Sequence, residues 1–474
     1  MDTGVQSIHE FDFIVVGGGT AGCAVAGRLA ESPKVQVLVI EAGIGNPQDV
    51  DAITTPARAF ELWDSNEELA YIGAGGPIPV SHSDLVPEIA GFRDALTKAW
   101  TSKGGELTND VHNGTMRGLR KCTTSIYNGK RSSSWMYLEG KKNVTVLSKT
   151  NSKRLFIDEV TKKCLGVEVL LPNGETHSFR AKHETIVSSG VFESPKLLML
   201  SGIGRQADLA KFNIKTIVDS AHVEQNLLDH PILAHVFRLD DGNGLDHHLL
   251  RAGLEHDAAV SAYRWENKGP YTSGLLELVG LPRIDDRLMK YPEYVAAKEA
   301  NGGLDPFGPA GQPHFKIDFV PMFANAFQWH IPTPPSGDYM TINLNFFAND
   351  LDILALREGI RWVDDVLMTG EGMKDIIKED YPWPMPRTSD AAMDKMILER
   401  SQTGFHPCGS TRMGLNIKQG VVDGKLRVFG VEKLRVIDAS VIPVIPDCRI
   451  QNSVYMIAEK GADMIKADYP ELYS

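Results

Sequence analysis

The chain has 474 residues, of which 42% are hydrophobic and 23% charged, and its formal net charge is −12. That length exceeds what one ordinary core holds and favours two closely joined domains. The acidic surplus argues against a nucleic-acid partner, because binding phosphates requires a basic patch.

The N-terminal residues 11–43 have the pattern of a β-α-β unit. Residues 13–16 form a short apolar strand, a glycine-rich turn follows at 17–22, and 23–31 continue as a helix rich in Ala and Leu. A second apolar strand at 35–40 leads to Glu41. Apolar strands of this kind are typical of a parallel sheet that is covered on both faces.

The rest of the chain predicts a second domain inserted into the first. A helix is predicted at 85–102, short strands within 144–169, a strand at 183–190 and a helix at 194–201. Residues 231–400 are richer in aromatic residues and proline; within them, 315–323 alternate like a half-covered strand and 352–369 form an amphipathic helix. A strand at 434–437 and a helix at 453–467 have the same apolar and glycine-rich character as the N-terminal residues.

The first motif with chemical meaning is Gly17-x-Gly19-x-x-Gly22, followed by Glu41. In such a turn the first glycine permits the tight bend, the second lets the backbone approach a pyrophosphate, and the third lets helix and strand pack closely. The helix N-terminus then faces the phosphates, and the acid can accept from a ribose hydroxyl. The alternative is a glycine turn in an unrelated α/β protein. The ordered strand, turn, helix, strand and acid favour dinucleotide binding, although the acid does not separate FAD from NAD.

Two further motifs lie near the C-terminus. Residues 404–414 read GFHPCGSTRMG and contain His406, and residues 434–443 read LRVIDASVIP. Taken alone, a histidine before a proline is more often structural than catalytic, and the second segment is merely a strand end. In the middle of the chain, 188–204 read SSGVFESPKLLMLSGIG and 223–231 read VEQNLLDHP. Together with the N-terminal unit, and in this order, the segments resemble the glucose–methanol–choline (GMC) oxidoreductases over nearly the whole chain.

This resemblance implies FAD-dependent oxidation of an alcohol of a small organic molecule. His406 matches the histidine that lies beside flavin N5 and takes the hydroxyl proton, while the hydride goes to N5. A neutral imidazole suits that task because its unperturbed pKa is ~6.5. Asp438 and Ala439 match residues near the pyrophosphate and ribityl chain, and Ser152 matches a position whose backbone contacts the adenine. The residues expected to hold FAD are Gly17, Gly19, Thr20, Gly22, Glu41, Ser152, Asp438, Ala439 and Gln451; no metal site is expected.

The resemblance also implies an α/β fold with a Rossmann-like FAD-binding domain and a second, α+β substrate domain built on an antiparallel sheet. We expect the FAD domain to comprise 1–60, 145–230 and 400–474. The substrate domain would then comprise 61–144 and 231–399.

One departure from the family pattern concerns the second catalytic position. Where the family usually has a second His or an Asn before the final helix, this chain has Arg449. Arginine stays protonated and cannot act as a base. It can donate to a substrate oxygen or carboxylate, or hold negative charge on the reduced flavin. Alternatively it turns to solvent or pairs with an acid such as Asp447.

Two family segments are missing from the sequence. The first signature loop should follow Asn66, but the chain continues directly with Glu67. A substrate-domain hairpin should lie before Asn343, and the apparent join falls near Ile342. True degeneration, exons lost from a gene prediction and segments omitted from a longer chain all remain open explanations.

The substrate is open at this stage. Four aromatic residues of the second domain slightly favour an apolar or aromatic alcohol, although ordinary core is the preferred interpretation of them: Phe319, Phe323, Phe327 and Trp329. Oxygen, a quinone and another protein all remain possible electron acceptors. Two rival functions are a non-redox FAD-containing lyase or cyclase, in which His406 is acid and base alone, and a degenerate relative that has lost FAD.

Cysteine usage and hydropathy bear on the compartment. The five cysteines show no paired spacing, which favours reduced thiols. We find no secretion signal and no apolar run of ~18 residues that would span a bilayer. The sequence therefore predicts a cytoplasmic protein without a membrane partner.

Overall fold

The computed structural model describes residues 9–44, 46–58, 78, 81–82, 86–108, 116–323, 344–446 and 449–474. The strands are β1 His9–Val16, β2 Val37–Ile40, β3 Ser81–His82, β4 Gly118–Lys121, β5 Thr123–Thr124, β6 Ile126–Tyr127, β7 Lys130–Arg131, β8 Val144–Leu147, β9 Asn151–Ile157, β10 Cys164–Leu170, β11 Thr176–Val187, β12 Ile203–Gly204, β13 Val218–Asp219, β14 Pro231–Leu233, β15 Val236–Leu239, β16 Leu278–Leu281, β17 Ile317–Asp318, β18 Ile377–Tyr381, β19 Ser401–Thr403 and β20 Leu434–Val436. The helices are α1 Thr20–Leu29, α2 Asp51–Thr54, α3 Ala90–Ser102, α4 Gly190–Leu200, α5 Gln206–Lys211, α6 Asp246–Leu249, α7 Leu254–Glu266, α8 Asp285–Leu288, α9 Pro292–Ala300, α10 Asp350–Thr369, α11 Met373–Ile376, α12 Asp390–Arg400 and α13 Gln451–Asp468.

The largest sheet has the strand order β8–β2–β1–β11–β10–β9, with β20 also paired to β11. β1, β2, β8, β20 and the second half of β11 run parallel, whereas β10 pairs antiparallel with β9 and with the first half of β11. The carboxyl ends of the parallel strands therefore meet at one edge. In open α/β sheets, this is the edge at which ligands bind.

The hydrophobic pattern explains why the sheet forms. Residues 13–16 of β1 and all of β2 are at most 2% exposed, as expected for strands covered on both faces. α1 packs against the sheet with small residues, and an added Cβ at Gly27 would lie 2.3 Å from the Tyr137 carbonyl oxygen. α13 lies beside α1, and Arg28 of α1 pairs with Glu459 and Asp463 of α13. The two ends of the chain are thereby joined in one layer.

The second part of the molecule has its own core. Its central sheet is antiparallel, with β16 between β17 and β4. The fully buried Trp100 of α3 packs edge-on against Trp362 of α10, with ring centroids 4.7 Å apart. Phe319 is buried in the same core. The predicted Rossmann-like α/β fold with a second α+β part is confirmed.

Some predictions meet the structure only in part. Tyr137 and Leu138, within the proposed substrate-domain range 61–144, pack into the core of the large sheet; the division into domains stays a proposal. The positions next to the two apparent joins, Asn66 and Ile342, lie outside the described residues, as do Phe327 and Trp329. Across the described parts of the chain, no helix combines the length and apolar character that crossing a bilayer would require.

Candidate active site

A cavity of about 2910 Å³ extends from the carboxyl edge of the large sheet to the second core. The loops that follow β1, β2, β11 and β20 form one wall, and residues around β17 form another. The predicted site residues in its lining are Gly17, Gly19, Thr20, Glu41, His406, Asp438, Ala439, Arg449 and Gln451. The fold therefore brings together residues that lie more than 400 positions apart.

The glycine turn makes an open cradle in this wall. Gly17 has φ +103°, and a Cβ there would lie 2.3 Å from the Ser188 carbonyl oxygen. A Cβ at Gly22 would lie 1.8 Å from the Gly17 carbonyl oxygen. The absence of a side chain at Gly22 therefore lets the first turn of α1 pack directly against the glycine turn. In contrast, a Cβ at Gly19 would meet nothing within 4 Å, and α1 begins directly after it. Backbone N–H groups at a helix start beside open space fit a pyrophosphate.

Glu41 is fixed beside this cradle. Its Oε2 accepts from the Gly18 backbone N–H at 2.6 Å, and its Oε1 accepts from the Gly43 N–H at 2.6 Å. Each carboxylate oxygen has a second lone pair, so both can still accept from hydroxyl groups. This geometry fits the adenosine ribose of a dinucleotide.

Asp438 supports the cavity wall through its side chain. The fully buried carboxylate accepts from the Gly190 N–H at 3.0 Å, the Ser194 hydroxyl at 2.5 Å and the Ser440 N–H at 2.8 Å. Burial raises the pKa of Asp438, and the surrounding donors oppose that rise. Because these donors engage the side chain and tie down the start of α4, any contact of Asp438 with a cofactor would come from its backbone.

Gln451 opens α13 and presents a polar group without a partner. Its side-chain Nε2 is buried and has no hydrogen-bond partner among the described residues. A buried donor left unsatisfied costs about 1–3 kcal/mol, so this amide suits a ligand acceptor in the cavity. Ser152, by contrast, lies on β9 and is not among the lining residues, and its contact with adenine stays a prediction.

His406 lies in the loop after β19. Its backbone N–H donates to Asp229 Oδ1 at 2.9 Å, and the same oxygen accepts from the His230 N–H at 2.8 Å. Thr403 donates to the other carboxylate oxygen. The Nδ1 atoms of His230 and His406 are 3.3 Å apart, within hydrogen-bond distance. Asp229 thus fixes the two histidines side by side.

The surroundings keep the His406 imidazole neutral. Burial is the largest influence, and the electrostatic effects of His230, Arg449 and Lys316 act in the same direction, lowering its pKa to about 3. Asp318 opposes the shift. The Arg449 guanidinium thus contributes to the lowered pKa, and burial is the larger cause. A neutral imidazole can accept a proton from a bound substrate, or form a hydrogen bond with it.

Arg449 reaches the cavity wall and pairs with an acid from the second part of the molecule. Its Nη2 donates to Asp318 Oδ2 at 3.0 Å, and Lys316 Nζ lies 2.7 Å from Asp318 Oδ1. Asp447, the pairing partner considered from the sequence, lies outside the described residues. Arg449 therefore belongs to an ion triad that faces the same cavity as His406.

Another charged cluster looks at first like a metal site. The ligand atoms of Asp285, Asp305 and His314 lie within 4.8 Å of one another. However, Arg283 donates to Asp285 and to Asp305, and His314 Nε2 lies 2.7 Å from Asp305 Oδ2. Internal ion pairs already satisfy the charges of this cluster.

The fold and this site define a flavin-dependent oxidoreductase, and comparison with known proteins identifies its family. GMC oxidoreductase family models match residues 11–232 and 333–458. The chain belongs to the GMC oxidoreductase family and is an FAD-dependent oxidoreductase.

Among solved structures, the chain is similar to a formate oxidase from Aspergillus oryzae RIB40. The two are 46% identical with a TM-score of 0.93, over 98% of this chain and 99% of the other. That structure carries an arginine-to-alanine substitution studied for its effect on FAD modification. Among curated relatives, human mitochondrial choline dehydrogenase is 26% identical, over 98% of this chain and 91% of the relative. Pyranose dehydrogenase 3 from Leucoagaricus meleagris is also 26% identical, over 97% and 93%.

Proposed function

We propose that this protein oxidises formate or a comparably small carboxylate, with FAD as its cofactor. The observation that carries the proposal is the pairing of a neutral imidazole with fixed positive charge in one cavity. His406 is held neutral, while Arg449 and Lys316 contribute positive charge beside it. The 46% identity to a formate oxidase supports the same substrate class.

The ion triad on the cavity wall beside His406 favours an anionic substrate. Arg449 and Lys316 are cations, and Asp318 is the anion between them. The sum of these three charges is positive, and a low-dielectric cavity strengthens its effect on a small anion. The guanidinium presents a planar fork of donors that matches the geometry of a carboxylate. Arg449 would therefore bind the formate oxygens and fix the direction of its C–H bond.

His406 would act beside the bound carboxylate through the ring edge that faces the cavity. Its neutral imidazole can donate one hydrogen bond to a carboxylate oxygen and leaves the charge of the substrate to be balanced by Arg449. If the substrate enters protonated, the same imidazole takes the O–H proton. Asp229 holds the His406 backbone and so keeps the ring in position for either task.

The cofactor would be held by the cradle at the sheet edge. We propose that the pyrophosphate lies at Gly19 and the start of α1, that Glu41 accepts from the ribose, and that Gln451 donates to an acceptor of the cofactor. Gly17, Thr20, Gly22, Asp438 and Ala439 would shape the rest of this wall. When bound, FAD supplies the acceptor for the hydride that the substrate carbon gives up. The task of the protein is to fix the substrate at the right distance and angle and to exclude water.

A second candidate is oxidation of a small alcohol, as the family resemblance implies. The neutral His406 favours it because an alcohol must lose a proton as well as a hydride. Phe323, which is 41% exposed and lines the cavity, could contact an apolar alcohol, whereas Phe319 is mainly core. This candidate gives Arg449 no carboxylate to bind, which is why we rank it second.

Anaerobic stopped-flow measurement of flavin reduction tests the proposal. Formate should bleach the flavin band of the FAD-loaded protein, and deuterated formate should do so more slowly. Arg449→Met should raise the half-saturating formate concentration by about tenfold or more, the loss expected for a charge-assisted hydrogen bond. Arg238→Met is the matched control, because Arg238 lines the cavity but pairs with Glu379 at the surface.

The alternatives give different results in the same assay. Reduction by a small alcohol but not by formate would refute the first candidate and support the second. A protein that holds FAD but is reduced by neither class would favour a non-redox relative, one of the rivals considered from the sequence.

A further inference from the structure

The ion triad of Lys316, Asp318 and Arg449 connects the two parts of the molecule. Asp318 ends β17 in the antiparallel sheet, and Lys316 directly precedes this strand. Arg449 comes from the loop that leads into α13, on the side of the large sheet. All three residues line the cavity. The orientation of the Arg449 guanidinium is thus set by a residue of the other half of the molecule.

The triad is not an ordinary surface ion pair. The side chains of Lys316, Asp318 and Arg449 are 13%, 23% and 40% exposed, and what exposure they keep includes the cavity wall. Removing charges from water is costly, so partly buried ion pairs contribute little net stability. The triad is therefore better explained by a need to hold Arg449 in one orientation than by a contribution to the free energy of folding.

Asp318 remains an anion in this environment. Burial alone would raise the pKa of its carboxyl, but Arg449 and then Lys316 outweigh burial and hold the pKa well below its usual range. Without this anion the two cations would repel each other. The long and flexible arginine side chain would also lose its ion pair with Asp318, and more of its ordering would then fall to the substrate at the moment of binding.

We propose that Asp318 is a positioning residue that pre-orders Arg449 for binding a small carboxylate. This inference rests on the proposed function, because it takes Arg449 as the carboxylate-binding group. Asp318 itself does not touch the substrate in this account. Its effect should therefore fall on the binding of anions and much less on the limiting rate of flavin reduction.

The test compares Asp318→Asn with the wild type, both loaded with FAD. Two quantities are measured: the dependence of flavin reduction on formate concentration, and the affinity for acetate from its perturbation of the flavin absorbance. We expect Asp318→Asn to weaken acetate binding and raise the half-saturating formate concentration by about tenfold, with the limiting rate within about threefold. Asp318→Glu keeps the charge and should recover part of the loss.

Asp394→Asn is the matched control, since Asp394 pairs with the buried Arg357 at 2.6 Å and is not a lining residue. Equal acetate affinity in Asp318→Asn and wild type would overturn the inference. So would loss of FAD or of thermal stability in Asp318→Asn but not in Asp394→Asn, because that result assigns the carboxylate a structural role. Acetate binding requires no turnover. An enzyme whose acetate affinity depends on Asp318 but which is not reduced by formate would therefore refute the proposed substrate and not the role of Asp318.

Discussion

Lowering the pH should leave the wild-type rate of flavin reduction almost unchanged, because His406 titrates far below neutrality. Its pKa is about 3, owing to burial and then to the electrostatic effects of His230, Arg449 and Lys316. At about pH 5 such an imidazole is roughly 99% neutral, whereas one with an ordinary pKa of ~6.5 would be only about 3% neutral. The two cases differ by about thirtyfold in the active form.

The pH dependence of flavin reduction follows from the lowered pKa of His406. The neutral form is the active one, and a lowered pKa extends its range towards acid. The limiting rate at saturating substrate should therefore change by less than about twofold between about pH 8 and pH 5. Anaerobic stopped-flow reduction of the FAD-loaded protein measures this rate. Circular dichroism at each pH checks that the fold persists.

His406→Ala tests whether this imidazole is the group concerned. A positioned acid–base group contributes ~10²–10⁴-fold, or about 2.7–5.4 kcal/mol in the barrier, so the variant should lose about that factor with a substrate that enters protonated, while retaining FAD. The loss should be smaller with the formate anion, to which the ring offers only a hydrogen bond. A wild-type rate that falls tenfold per pH unit below about pH 6.5 would refute the electrostatic reasoning. An unchanged rate in His406→Ala would refute the assignment of the residue itself.

Three further predictions concern the cofactor site and the fold. Gly19→Val should abolish FAD binding, seen as loss of the flavin absorbance in a folded protein, because its side chain enters the open cradle; stoichiometric FAD would contradict this placement. Gln451→Leu should weaken FAD binding about tenfold in a cofactor titration, by removing the unpaired buried amide; unchanged affinity would show that the amide meets no cofactor. Arg435→Met should lower the free energy of unfolding in urea by about 3–5 kcal/mol, since it leaves the buried Glu184 without its cation; a loss below about 1 kcal/mol would argue against this pair.

The FAD-binding half of the fold could be predicted because its signals are local. The strand, glycine turn and helix lie within about thirty residues, and the structure gives β1, α1 and β2 in that order. Errors occur at the ends of elements. The helix predicted at 194–201 begins already at Gly190, because Asp438 accepts from the Gly190 N–H. A partner 248 positions away along the chain leaves no local signal for this start.

The second half was harder to predict because its pairing is not local. The alternating run at 315–323 predicts a strand, but only Ile317–Asp318 is one. Pro321 lacks the N–H that a longer ladder would need. The partner strand β16 is about forty residues away in the sequence and is itself only four residues long. Alternation therefore indicated which residues are covered but not how far the strand extends.

The candidate site likewise contains residues that the sequence could indicate and residues that it could not. His406 and Arg449 were identified through the family resemblance, and the glycines through their spacing. Asp229 and His230 lay in a segment read only as a family marker, although their contacts with His406 shape its backbone and its charge. Lys316 and Asp318 carried no sequence signal of function. Their proposed roles depend on the fold, which sets Asp318 against Arg449, 131 positions away.

The location of these charges suggests how one fold can serve different substrates. The cradle that faces the cofactor is built from the loops after β1, β2 and β11 and from Asp438 and Ala439 just after β20. The groups that tune His406 come from the His230 segment, from the residues of and next to β17, and from Arg449, which follows Ala439 by ten positions in the same loop. Exchanging Arg449 for a neutral residue would thus alter the charge offered to the substrate without rebuilding the cofactor site. Such separation is what allows function to vary on a constant scaffold. It makes Arg449, with Asp318 behind it, the position at which we expect the choice between a carboxylate and an alcohol to be made.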